Sequence, residues 1–149
     1  MKLSREDAIE YVLDRYGKKT VYVFATGYIS RTAYKLCRNK YTAFYMQGSM
    51  GLALSIALGV ALCQNRPVVC VDGDGASVMM AGTMATNHYY GDRVTHIVLA
   101  NNCYESTGGQ YTINMPMANK IEVECSEPDP RIPIKCKEIT DGFINSLTS

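Results

Sequence analysis

Residues 68–102 constrain the fold of this chain more than any other stretch. Val68-Val69-Cys70-Val71-Asp72 is a short apolar run rich in β-branched residues and reads as a buried strand. It stops at Gly73-Asp74-Gly75, and a helical pattern follows at once, expected from about Ser77 to Tyr90. A second strand, Val94 to Leu99, ends at Asn101-Asn102. A strand that turns through glycines into a helix aims free N–H groups and a positive dipole end at whatever sits there. Asp74 sets a carboxylate beside that corner, and the two Asn side chains offer hard carbonyl oxygens. In a parallel sheet both strand ends share one edge, so the Asp and an Asn can meet. A phosphate and a carboxylate held together want a divalent cation between them. The stretch therefore reads as a metal–diphosphate site.

The rest of the chain repeats the strand–glycine–helix theme. Ser4 and Asp7 form a capping pair for a helix whose apolar face is Ala8, Ile9, Val12, Leu13 and Tyr16, ending at Gly17. Thr20 to Phe24 is β-rich and breaks at Thr26-Gly27, Ser30 to Arg38 is helical, and Tyr41 to Met46 is a strand breaking at Gly48-Ser49-Met50-Gly51. The helix that follows, to Cys63, is apolar all round, which predicts burial between layers or cover by a partner chain. Ile121 to Cys125 reads as a last strand, and Ile139 to Leu147 as a last helix. Strands alternating with helices predict an α/β fold, a doubly wound, mostly parallel sheet with helices on both faces, whose ligands sit beyond the strand carboxyl ends. Four polar loops converge on that edge.

The chain has 149 residues, 47% hydrophobic and 19% charged, as expected for one globular domain over 1–149. A net charge of +1 gives no reason to invoke nucleic acid or an anionic membrane. No apolar run reaches the roughly 18 residues of a membrane span, and the charged start lacks the apolar core of a signal peptide. The six cysteines include no C-x-x-C pair, which favours a reduced, cytoplasmic protein. Val78 stands where a dinucleotide-binding G-x-G-x-x-G would need its last glycine. His88 and His96 have no ligand-spaced partners and read as structural, and Met79-Met80 as core packing.

The Gly73-Asp74-Gly75 triplet, followed one helix and one strand later by Asn101, resembles the thiamine-diphosphate (ThDP) motif. Thr26-Gly27-Tyr28-Ile29-Ser30-Arg31, Phe44 to Gly51 and Tyr104-Glu105-Ser106-Thr107-Gly108-Gly109-Gln110 are similar to the diphosphate-binding half of phosphonopyruvate and sulfopyruvate decarboxylases. The resemblance covers residues 20–112 and, weakly, the tail around Ile121-Glu122-Val123-Glu124 and Pro133.

That resemblance implies roles. Asp74, the Asn101 side chain and the backbone carbonyl of Cys103 would ligate Mg²⁺, with Asn102 the second choice. Gly73 and the N–H groups of Gly75, Ala76 and Ser77 would hold the diphosphate, while Thr26, Gly27, Gly48, Ser49 and Tyr104 would line the cofactor. Met50 would be the apolar wedge that bends it, and Glu105, Ser106 and Thr107 would face the substrate. The expected reaction is decarboxylation of 3-phosphonopyruvate or 3-sulfopyruvate. Alternatives are carboligation of the acetolactate-synthase kind and a non-catalytic scaffolding or regulatory homologue. The family also needs a pyrimidine-binding domain with an activating Glu, which these 149 residues do not supply, so a separate alpha subunit is expected as partner in a hetero-oligomer. Between Tyr111 and Ile121 the family carries a further helix–strand unit where only Thr112 to Lys120 stand here, which leaves room for a sheet one strand smaller.

Overall fold

The computed structural model describes residues 2–113, 115–117 and 119–148. Helix α1 (Arg5–Tyr16) starts where expected, because Ser4 accepts the Asp7 N–H at 3.0 Å. It stops at Gly17, whose positive φ of 71° lets its N–H return to the Leu13 carbonyl at 2.8 Å. Strands β1 (Val21–Phe24), β2 (Thr42–Tyr45), β3 (Val68–Gly73), β4 (Val94–Ala100) and β5 (Lys120–Glu122) form one sheet in the order β2-β1-β3-β4-β5. Every pairing is parallel. All of β1 is buried, as befits a strand with neighbours on both sides and helices on both faces.

The doubly wound expectation holds. Helix α1 and α2 (Tyr28–Cys37) cover one face, packing Ile9, Val12, Ala33 and Cys37 on Tyr22, Phe24, Val69 and Val71. Helix α3 (Ala53–Cys63) covers the other, packing Leu54, Ala57 and Leu58 on Val21, Val23 and Cys70. The last helix, α6 (Cys136–Thr148), lies along β2 at the sheet edge and gives Ile139 to the first core and Phe143 to the second. Among the described residues no helix is long and apolar enough to cross a membrane.

Several expectations need correction. The single helix expected from Ser77 to Tyr90 is two, α4 (Asp74–Met79) and α5 (Ala81–Tyr89). The break falls at Met80, where φ −127° and ψ 43° leave the helical region. Gly51 comes close at this point: a Cβ there would lie 3.0 Å from Met80 Cγ and 3.3 Å from the Ala76 carbonyl oxygen. Met79 and Met80, expected in the core, are exposed (54% and 41%), because the kink turns them out. Helix α3 is not buried between layers: one side packs on the sheet, while Leu62 on the other side and Leu52, just before the helix, are exposed. Strand β5 is shorter than expected: Val123 donates to the Ala100 carbonyl but bridges to Leu3, which closes that edge. No helix or further strand lies between Tyr111 and β5 among the described residues, and Asn114 and Ala118 lie outside them.

Candidate functional site

The carboxyl ends of β1, β2, β3 and β4 are followed by Thr26-Gly27, Gly48 to Gly51, Asp74-Gly75 and Asn101-Asn102, all on one edge. The chain order reverses between β1 and β3, where loops leave for opposite faces and open a crevice. Asp74 lies there, 7% exposed. Its Oδ1 accepts the Gly75 N–H at 2.9 Å, and its Oδ2 accepts the Asn102 N–H and the Thr112 hydroxyl, each at 2.8 Å. The Asp thus ties the end of β3 to the loop after β4. Asn102 takes a positive φ of 63° to present that N–H, and its contact to Asp74 runs through its backbone.

Asn101 is oriented by its neighbours. Its Nδ2 donates to Glu105 Oε2 at 3.0 Å, and its Oδ1 accepts the Cys103 N–H at 3.1 Å. A carboxylate only accepts, so this pairing fixes which end of the amide is oxygen. Glu105 is itself held: Oε2 by Arg5 at 2.9 Å and Oε1 by the Ser126 N–H at 2.6 Å. Arg5 is 4% exposed, donates also to the Ser126 carbonyl and lies over the Tyr28 ring. Glu105 therefore serves as a strut between Asn101 and the chain's start. Sequence reasoning missed Arg5 and Thr112. A charged residue in a first helical turn and a Thr in a loop carry no local mark of contacts made at the far end of the chain.

Arg5, Thr26, Met50, Gly73 to Ala76, Asn101 and Cys103 to Ser106 border one cavity of about 90 Å³. Met50 borders the same cavity from the 48–51 turn, where Gly48, Ser49 and Gly51 all take positive φ and Thr26 Oγ1 accepts the Gly48 N–H at 2.8 Å. Gly27 faces Ser106, whose Oγ would lie 3.6 Å from a Cβ at Gly27. Gly48, Ser49 and Ser77 are not among the residues bordering the cavity, the Ser77 hydroxyl donates to the Gly73 carbonyl, and Thr107 is exposed with its N–H on the Tyr104 carbonyl. Burial first, and the contact with Cys125 second, push the Cys103 thiol up to about 11.

His96 has the partners its sequence neighbourhood hid. In the parallel register it stands beside Cys70, and its Nε2 lies 3.3 Å from Asp72 Oδ2 and 3.5 Å from Ser77 Oγ. Cys70, Asp72 and His96 bring one ligand atom each within 4.8 Å of one another. This group sits under α4 on the α3 side of the sheet.

Comparison with known proteins says which family uses such an edge. Residues 25–143 match the family described as thiamine pyrophosphate enzyme, C-terminal TPP binding domain. This chain belongs to that family. Among relatives of the TPP-binding domain, phosphonopyruvate decarboxylase of Streptomyces viridochromogenes is 43% identical over 113 residues, 74% of this chain and 28% of that protein. Sulfopyruvate decarboxylase subunit beta of Methanothermobacter thermautotrophicus is 42% identical over 113 residues, 75% of this chain and 60% of that one. The corresponding subunit of Methanocaldococcus jannaschii is 37% identical over 109 residues, 72% and 57% of the two chains. The chain thus spans less than two thirds of the length of these relatives.

The donor chemistry of the TPP-binding domain fits a hard cation. Asp74 Oδ1 and Asn101 Oδ1 each carry a single hydrogen bond and keep acceptor capacity, at the border of one cavity. The phosphate side fits on a condition. The Tyr104 ring fills the space over Gly75, so a diphosphate held at that glycine requires the ring to swing away.

Proposed function

We propose that this chain is the ThDP- and Mg²⁺-binding subunit of a two-subunit decarboxylase that converts 3-phosphonopyruvate or 3-sulfopyruvate to the corresponding acetaldehyde and CO₂. The observation that carries the reading is that Asp74 and Asn101, from the ends of adjacent parallel strands, border one cavity together with Met50. Bound there, ThDP would supply the electron sink that decarboxylation of a 2-oxo acid needs. Asp74, the Asn101 carbonyl and the backbone of Cys103 would hold the Mg²⁺. Glu105, braced by Arg5, holds the Asn101 amide nitrogen, which leaves the amide oxygen as the end that accepts. Met50 limits how flat a bound cofactor can lie, and Ser106 borders the substrate side.

The partner follows from chemistry the chain lacks within these residues, a carboxylate for the cofactor's aminopyrimidine. Two relatives carry the words subunit beta in their names, in keeping with a second chain. The exposed Leu52, at the start of α3, and the exposed Met79 and Met80, which lie beside Gly51, suit cover by such a chain. We place the assembly in the cytoplasm, which a cysteine set without C-x-x-C spacing favours.

The test is calorimetric titration of ThDP with Mg²⁺ into the chain reconstituted with a pyrimidine-domain subunit, followed by assay of both substrates. Saturable binding that Asp74→Ala abolishes, together with aldehyde formation, is expected. Absence of saturable binding sinks the reading, and turnover by the 149 residues alone refutes the need for a partner. The Tyr104 ring over Gly75 favours one other reading, a non-catalytic homologue that stabilises an active partner. Under it, the reconstituted pair binds no ThDP at this chain's Asp74.

A further inference from the structure

We propose that Cys103 and Cys125 form a reversible disulfide that pins the 103–112 loop over the Asp74–Gly75 corner. The two sulfurs lie 3.2 Å apart with neither bonded to the other, so a covalent S–S bond of about 2.05 Å needs a movement of little more than about 1 Å. The pair joins two segments that differ in how they are held. Cys125 sits on an anchored one: the Glu124 N–H goes to the Leu3 carbonyl and the Ser126 N–H to Glu105. Cys103 sits at the root of the loop, where it bridges Tyr111, while Tyr104 and Gln110 pair through their backbones. The next residue, Tyr104, puts its ring over Gly75. A bond at position 103 therefore fixes the hinge about which that ring would have to leave.

The oxidant is a peroxide. The exposed Cys125 sulfur attacks a peroxide oxygen, the O–O bond breaks, and a sulfenic acid and one water result. The Cys103 sulfur then attacks the sulfenic sulfur, the S–O bond breaks, and the leaving hydroxide takes the thiol proton as a second water. Two thiols are oxidised to one disulfide as one peroxide is reduced to two waters. A reducing dithiol reverses the step by exchange. Disulfides of this kind in reducing compartments are transient and regulatory. The bond itself is independent of the proposed cofactor; only its consequence, a corner closed to a diphosphate, rests on that reading.

Trypsin cleavage after Arg93, Lys120 and Arg131 leaves Cys103 and Cys125 as the single cysteines of peptides 94–120 and 121–131. The reduced chain is treated with stoichiometric hydrogen peroxide and digested without reductant. The expected result is the 94–120/121–131 pair joined with loss of two hydrogens, separable again by dithiothreitol. Amide exchange over residues 103–112 should slow on oxidation in the wild type and stay unchanged in Cys125→Ser. Joining of either cysteine to the exposed Cys63 or Cys136 overturns the proposal, as does a chain whose Cys103 and Cys125 stay free while those two are oxidised. Cross-linking that leaves exchange in the loop unaltered overturns the pinning. Both measurements are made without ThDP, so neither depends on the proposed activity.

Discussion

The ring of Tyr104 occupies the place where a side chain at residue 75 would begin: a Cβ on Gly75 would run into Tyr104 Cε1 and lie 2.8 Å from Cδ1. Gly75 also has Thr112 Cγ2 at 3.1 Å from the same point. The glycine is thus required by what covers it in this structure, whatever ligand replaces that cover. Gly75→Ala should cost about 1–3 kcal/mol, the usual range for overpacking. The same change made in a Tyr104→Ala background should cost well under half of that. Chemical denaturation of the three variants checks it, and an equal cost in both backgrounds would show that Tyr104 is not what Gly75 accommodates.

Arg5 and Glu105 form a mostly desolvated ion pair, their side chains 5% and 16% exposed. Removing one partner of such a pair leaves a buried charge without its counterion, at about 3–5 kcal/mol. Glu105→Ala should fall near the lower figure, since Arg5 keeps the Ser126 carbonyl and the Tyr28 ring. The double variant Arg5→Met/Glu105→Ala should be less destabilised than the sum of the single changes by at least about 1 kcal/mol. Additivity within about 0.5 kcal/mol would mean the two residues act independently.

Burial pushes the Cys37 thiol from its ordinary 9.0 up to about 12. In the unfolded chain the thiol loses its proton first, so between pH 9 and 12 the native state holds more protons. Stability from this group is complete below pH 9 and declines as the pH rises towards 12. Cys70 and Tyr45, also pushed up by burial, add to the same decline. Urea midpoints measured across that window under reducing conditions should fall, and Cys37→Ala should flatten the fall in part. A slope identical in wild type and variant would remove Cys37 from the account.

The features legible in the sequence are those set by near neighbours. Ser4 and Gly17 bound α1 through bonds to residues three and four positions away, and the strand-ending glycines mark the site's edge because strands stop there whatever else happens. The doubly wound sheet followed from period and punctuation alone. What escaped depends on partners far along the chain. The break at Met80 falls where the helix passes Gly51, distant in sequence, and the Cys70–Asp72–His96 group exists only in the register of β3 on β4. Asn87 is buried because its amide bonds both the N–H and the carbonyl of Val94, closing the turn into β4 in a way no side-chain pattern announces. Within the site, Asp74 and Asn101 were visible as types at the right strand ends, but the Arg5–Glu105 strut that orients Asn101 was not.

Asp74 has a structural task that any metal site must coexist with, since its Oδ2 joins the Asn102 N–H and the Thr112 hydroxyl. Asp74→Ala leaves the Asn102 N–H without its acceptor and should cost about 1–3 kcal/mol with no cation present. Thr112→Val removes one hydrogen bond and should cost about 1 kcal/mol. The two variants separate structure from ligation. Mg²⁺ added with ThDP should raise the thermal midpoint of the wild type and of Thr112→Val, because a ligand of the native state stabilises it by mass action. Asp74→Ala should show no such rise, while Asn101→Ala, which loses an oxygen and keeps the strand ends tied, should show a smaller one. A rise in Asp74→Ala equal to that of the wild type would put the cation elsewhere, and the cluster of Cys70, Asp72 and His96 would then be the first place to look for it.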